Sequence, residues 1–239
     1  MKHRTRALAG LAASLLSSGA FAAMTTLTGS NVSFTFDSAL VGLYGMPTVS
    51  GDSLIFTPTN FSAQSTNGQG IVTKNGTLNV SIVANSGYQF STISLTERGD
   101  YYLIGSDAAV GVGGQIRVFD QDDPINNEVT SNIVATAPFN AYTTIPTFST
   151  TNWTANASVA VPASGWGGSD GIVSGINLTI ENLLIASTSA AGSAAYIEKK
   201  FAGTTIVISA VPEAETWTLL LAGLELVGLA VRRARRSAA

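Results

Sequence analysis

Oxygen donors crowd one short segment of the chain, Asp120-Gln121-Asp122-Asp123-Pro124 followed by Asn126, Asn127 and Glu128. Carboxylates this close together, just after an alternating apolar stretch, are the hard ligands that a loop calcium site uses. The residues suited to hold the ion are Asp120, Asp122, Asp123 and Glu128, and the competing reading is a solvated acidic turn. The segment is not an EF-hand loop, because Ile125 stands where that loop needs Gly. Glu97 and Asp100, in Glu97-Arg98-Gly99-Asp100, are the residue types of a glycosidase pair. They would need a shared cleft and a carboxyl separation of roughly 5 to 9.5 Å. The reading favoured over that one is a hairpin turn with a local ion pair. Trp153 and Trp166 lie in polar, Gly-rich surroundings and are candidates for a sugar-stacking platform, with burial in the core as the alternative.

What the sequence lacks removes more chemistry than these groups add. The 239 residues contain no Cys and one His, and only 11% are charged, against roughly 25% in an ordinary soluble protein. A disulfide framework, a thiol nucleophile and Cys-based zinc sites are excluded. The single His is His3. A formal net charge of −3 disfavours nucleic acid, whose binders neutralise phosphates with a basic patch.

Seven of the twelve basic residues sit at the two ends: Lys2, Arg4 and Arg6, then Arg232, Arg233, Arg235 and Arg236. The first 22 residues have the order of a secretory signal peptide. A basic start leads into an apolar stretch over Ala7 to Leu16, and Ala20-Phe21-Ala22 supplies small residues for cleavage after Ala22. Cleavage would remove His3, leaving no Ser-His-Asp or Cys-His arrangement and no His-ligated metal.

At the other end, Val211, Pro212 and Glu213 precede Trp217 and an apolar run containing Leu219, Leu220, Leu221 and Leu224, and the Arg cluster closes the chain. A helix over 216–231 would be about 24 Å long, somewhat short of the roughly 30 Å hydrocarbon core. Trp217 and Arg232 can anchor it by snorkelling. Burying Glu225 costs about 2.5 to 3.5 kcal/mol, while the Leu and Val residues return about 2.4 to 4.8 kcal/mol. The Arg cluster should stay cytoplasmic, which puts the preceding domain across the membrane, where the signal peptide would deliver it.

This Val-Pro-Glu motif, short Leu/Gly/Ala helix and terminal Arg cluster resemble the PEP-CTERM sorting signal of Gram-negative bacteria. The resemblance covers 211–239: motif 211–215, transmembrane helix 216–231 and Arg-rich tail 232–236. Ala214 stands where the family has a second Pro, and Glu225 where it has Gly or an apolar residue. The resemblance implies export through a secretion translocon and transient anchoring in the inner membrane with the domain in the periplasm. Removal of the tail by an exosortase-like membrane protease would come next, on the way to the cell surface or extracellular matrix. A plain single-span anchor that is never processed is the alternative.

The elements that must position any site lie between the two signals, in residues 23–210. Apolar residues alternate with polar ones at Val32, Phe34 and Phe36; Leu78, Val80 and Ile82; Ile93 and Leu95; and Ile176, Leu178 and Ile180. Further strands are expected over 54–57, 101–104, 115–119, 151–155 and 204–209, with turns at Asn67-Gly68, Asn75-Gly76 and Gly113-Gly114. The expected fold is all-β, a single antiparallel β-sandwich with jelly-roll-like connections. Residues 23–212 hold five Lys/Arg against twelve Asp/Glu, a formal charge of −7. Such a domain suits no nucleic acid and makes a cation-bridged contact with acidic exopolysaccharide plausible. The function expected is a non-catalytic surface or biofilm-matrix protein needing no cofactor, unless calcium fills the acidic loop. A carbohydrate-binding module using Trp153 or Trp166 is the second reading, and a carboxylate glycoside hydrolase the third.

Overall fold

Period-two patterning is carried through to the structure as two stacked antiparallel sheets. The computed structural model describes residues 23–143, 149–162, 164–213 and 218–228, without the side chain of Phe201. In chain order the strands are β1 (Met24–Thr28), β2 (Val32–Asp37), β3 (Thr48–Ser50), β4 (Ser53–Phe56), β5 (Ser62–Thr66), β6 (Gly70–Ala84) and β7 (Tyr88–Ile104). They continue as β8 (Ala109–Asp120), β9 (Glu128–Asn132), β10 (Val134–Ala135), β11 (Thr151–Ala160), β12 (Gly175–Thr188) and β13 (Ala194–Pro212). One sheet has the order β1-β2-β6-β12-β8-β9. The other runs β10-β11-β7-β13-β4-β3, with β5 also paired to β13.

The core lies between the inward rows of the two sheets. On β2, Val32, Phe34 and Phe36 are buried while Ser33, Thr35 and Asp37 are half-exposed. The same alternation carries Leu78, Val80 and Ile82 on β6 and Ile176, Leu178 and Ile180 on β12 into the core. Fully burying each such aliphatic side chain is worth about 1.5 to 3 kcal/mol. A 3-10 turn over Gly42–Tyr44 tucks Tyr44 under the sheets, edge-on to Phe56 and Phe61.

Of the turns expected from the sequence, one is present and the others lie inside strands. Asn67-Gly68 does turn the chain between β5 and β6, with both residues at positive φ. Asn75-Gly76, however, is embedded in β6 and Gly113-Gly114 in β8. Segments 92–96 and 101–104 are not two strands joined by a turn at 97–100 but parts of the single long strand β7. Pairing overrides the local turn preference, with β12 at 75–76 and at 113–114, and with β11 and β13 on the two sides of 97–100. β13 also runs two residues past the expected domain boundary: Val211 pairs with Gln89 and Pro212 with Tyr88, and the Glu213 N–H donates to Gly87 O. Pro212 can sit there because a strand's end leaves its missing N–H without a ladder to break.

Candidate functional site

Successive strand residues face opposite sides of a sheet, and on three strands the inward row contains one charged or amide residue among apolar ones. On β7 that row is Ile93, Leu95, Glu97, Gly99, Tyr101 and Leu103; on β12 it is Ile176, Leu178, Ile180, Asn182, Leu184 and Ala186. On β13 it begins Ala195, Ile197, Lys199. These rows meet in mid-sandwich. Lys199 Nζ lies 2.7 Å from Glu97 Oε1, with both side chains fully buried. Nζ also donates to Asn182 Oδ1, from the opposite sheet, and lies 3.5 Å from Thr204 Oγ1.

Two glycines make the room. Asn182 is paired in register with Gly76 on β6 and with Gly114 on β8, so no side chain flanks its carboxamide on its own sheet. The space is taken by Phe61 and Tyr44, which a Cβ on Gly76 would touch. The Lys199 ammonium sits 4.8 Å from the Phe61 ring centre and 5.7 Å from that of Tyr44, within cation–π range. The Tyr44 hydroxyl donates to Gly76 O at 3.1 Å. Gly114, at φ 123°, cannot carry a side chain without striking Glu181 O.

The cluster is electrostatically unsatisfied. Burial pushes the Lys199 ammonium below the ordinary lysine range, against the opposing pull of Glu97. Burial, helped by the Glu97 charge, pushes the Tyr44 phenol up, with Asn182 opposing. Glu97 Oε2 and Asn182 Nδ2 have no hydrogen-bond partner among the described residues. A buried ion pair with such gaps does not recover its desolvation penalty, and an apolar trio of similar volume would hold the core as well or better.

A second lysine and carboxylate pair sits on the reverse side of the same sheet. Lys200 Nζ bridges Asp100 Oδ2 at 2.8 Å and Glu198 Oε1 at 2.7 Å, with the Lys200 side chain 41% exposed. The hydrogen bond to Asp100 and then that to Glu198 hold the Lys200 ammonium above its ordinary range. Asp100, Lys200, Arg98, Asn152 and Thr154 line a shallow outer groove. Glu97 and Asp100 therefore face opposite sides of β7 and share no cleft, and they form no hairpin turn. The glycosidase arrangement expected as the third reading is absent from this pair.

The other expected site residues are engaged elsewhere. Asp120 is buried and accepts hydrogen bonds from the Gly167 N–H at 2.8 Å, from Asn127 Nδ2 and from the Asp122 N–H. Asp123 accepts from Asn126 Nδ2, and Glu128 pairs with Arg117 at 2.7 Å, while Asp122 is exposed. The acidic segment thus fastens the loop around Gly167 to the end of β8, and its carboxylates do not converge. Among the described residues no three Asp, Glu, His or Cys side chains form a metal-ion group. Trp153 and Trp166 are each 6% exposed. Trp153 Nε1 donates to Glu198 O at 3.1 Å, and its ring packs edge-on to Phe139. Both rings are thus packed into the core rather than spread on the surface as the stacking platform expected from the sequence, though Trp153 also lies at the floor of the outer groove.

Of the tail, residues 218–228 are helical. Leu219, Leu220, Leu221, Leu224, Leu226 and Val227 are 53 to 74% exposed on it. Among the described residues no helix is long and apolar enough to cross a membrane. Ala20, Ala22, Trp217, Arg232, Arg233, Arg235 and Arg236 lie outside the described residues.

The cluster of Lys199, Glu97, Asn182, Thr204 and Tyr44 escapes a reading by residue type, since no two of its three reactive groups are close in sequence. A signal does exist in the strand periodicity. Continued past Ile180 and Leu95, it puts Asn182 and Glu97 in apolar rows.

No family model matches the chain, and no curated protein does. A solved structure titled "Structure of infectious bursal disease virus Gt strain" is similar over 71% of this chain and 41% of that one, at 12% identity and a TM-score of 0.20. The chain thus spans less than half the length of that neighbour.

Proposed function

We propose that the protein is an exported, non-catalytic structural component of a bacterial cell surface or exopolysaccharide matrix. A PEP-CTERM-like tail is released from it by an exosortase-like membrane protease. The observation that carries this reading is the contrast between the sandwich and its C-terminal helix. The domain closes its own core, whereas the helix over 218–228 leaves its Leu side chains open to solvent. A contiguous exposed apolar surface marks a segment meant for another environment, and the Arg cluster beyond it suits the cytoplasmic end of a membrane segment. Reading residues 1–22 as a signal peptide gives the same topology. With Trp153 and Trp166 buried, neither of these two rings favours the carbohydrate-module reading.

The test is expression of the full chain in a Gram-negative host that has an exosortase, with cell fractionation and peptide mapping of the product. The expected product starts near Ala23, lies outside the cytoplasm and lacks Arg232 to Arg236. A full-length cytoplasmic product would overturn export. A surface product that retains the Arg cluster would overturn tail release.

A further inference from the structure

The geometry points to an autocatalytic cross-link in the core: an amide bond between Lys199 Nζ and Asn182 Cγ, formed with loss of ammonia and promoted by Glu97. This inference does not depend on export, because the groups that react all belong to the folded domain.

Three observations converge on it. An amine, a carboxamide and a carboxylate meet inside a sandwich, on strands from both sheets, with no side chain between them. The carboxamide nitrogen is buried without a partner, and so is one Glu97 oxygen. A half-turn about Cβ–Cγ interchanges the two carboxamide ends, so either face of Cγ can be offered to Nζ with the NH2 as leaving group. As a purely non-covalent cluster the arrangement is poor, because its desolvation is not recovered. As a reactive cluster every part has a role. Removal of the Lys199 side chain from water favours the neutral, nucleophilic amine, and fixed contact supplies the proximity that an amide, a weak electrophile, requires.

The atoms balance without any further reactant. From the ion pair, one proton moves from the Lys199 ammonium to Glu97, giving the neutral amine. The Nζ lone pair forms the Nζ–Cγ bond. A second proton passes from Nζ through the Glu97 carboxyl to Nδ2, the Cγ–Nδ2 bond breaks, and ammonia leaves. What remains is a neutral secondary amide with the Glu97 carboxyl, now carrying one proton, beside it. A buried charge pair has become a neutral hydrogen-bonding set, and nothing has been oxidised or reduced.

The bond would join β12 in one sheet to β13 in the other, across a segment whose ends are 17 positions apart. β13 is the strand that leads to the tail, so a pull on the C-terminus would unzip 204–212 and then stop at Lys199. That is the behaviour a surface-held structural module needs.

Mass spectrometry of the full chain tests this directly. The purified protein is expected to be lighter, by one ammonia, than the mass given by its own observed termini. Cleavage after Glu181, Glu198 and Glu213 should release 182–198 and 199–213 as one branched peptide. Glu97→Gln and Lys199→Arg should each show the full sequence mass and two separate peptides. Glu97→Gln should also melt on the order of 10 °C lower, the shift expected for removing a cross-link over a short loop. A wild-type chain at its full sequence mass, with the two peptides separate, overturns the cross-link whatever the variants do. A Glu97→Gln protein that still carries the branched peptide in full overturns the assigned role of Glu97.

Discussion

Lys199 and Lys200 are neighbours in the chain, and each meets a carboxylate of β7, yet the two pairs live in different media. Lys199 and Glu97 are sealed between the sheets, while Lys200, Asp100 and Glu198 meet on the outer face, where the Lys200 side chain is two-fifths exposed and that of Asp100 nearly buried. On the outer face water and salt reach the Lys200 end of the pair and screen it in part, although the Asp100 carboxylate beneath it is nearly buried. Inside, there is no solvent to share the load, and the same functional groups become either a liability or a reactive set. The difference arises from strand parity and from the bulge between Lys199 and Thr204, which lets β13 leave the ladder and return with Thr204, Ile206 and Ile208 facing inward.

The sharpest way to break the comparison is to remove the inner cation. Lys199→Met removes both the amine that would form the cross-link and the cation paired with buried Glu97, and is expected to lower unfolding free energy by at least about 3 to 5 kcal/mol, read by urea denaturation. Adding Glu97→Leu should recover part of that loss. A double variant no more stable than the single one would show that packing, and not charge, sets the penalty.

Gly99 probes the backbone that separates the two pairs. It pairs with Lys199 on one side and Trp153 on the other, and a Cβ there would run into Glu198 O and Trp153 Nε1. Gly99→Ala is therefore expected to cost about 1 to 3 kcal/mol through overpacking, seen as a lower denaturation midpoint. An unchanged midpoint would mean that the bulged strand yields freely.

The smallest effect belongs to the outer pair. Lys200→Ala leaves the nearly buried Asp100 carboxylate without its cation but next to solvent, so it should cost less than Lys199→Met, and that cost should shrink in concentrated salt. A loss as large as that of Lys199→Met, or one insensitive to salt, would erase the distinction between the faces.

Much of the sandwich is legible in the residue pattern, because Val32 to Phe36 and Ile176 to Ile180 alternate without a break. The turns are less so. Asn75-Gly76 and Gly113-Gly114 carry the composition of hairpin turns, but their glycines serve the core: one opens space for Phe61 and Tyr44, and the other lies against the backbone of β12. The candidate site is legible only in part. Glu97 draws notice for its neighbour Asp100, which faces the other way, and Trp153 and Trp166 for rings that the core has taken. Asn182 escapes notice because an amide in a Thr/Ser/Asn-rich strand looks like one more solvent-facing residue.

What the sequence by itself determined is what depends on composition and local period: an all-β domain free of Cys, an anionic balance over 23–212, and two basic ends flanking apolar segments. Those properties are sums or short-range repeats, and no partner is needed to read them. Only the tertiary structure decided which polar residues meet. Glu97, Asn182 and Lys199 are brought together by strand pairing and by the stacking of two sheets, and a shift of one residue in any of the three strands would turn its member of the trio toward water.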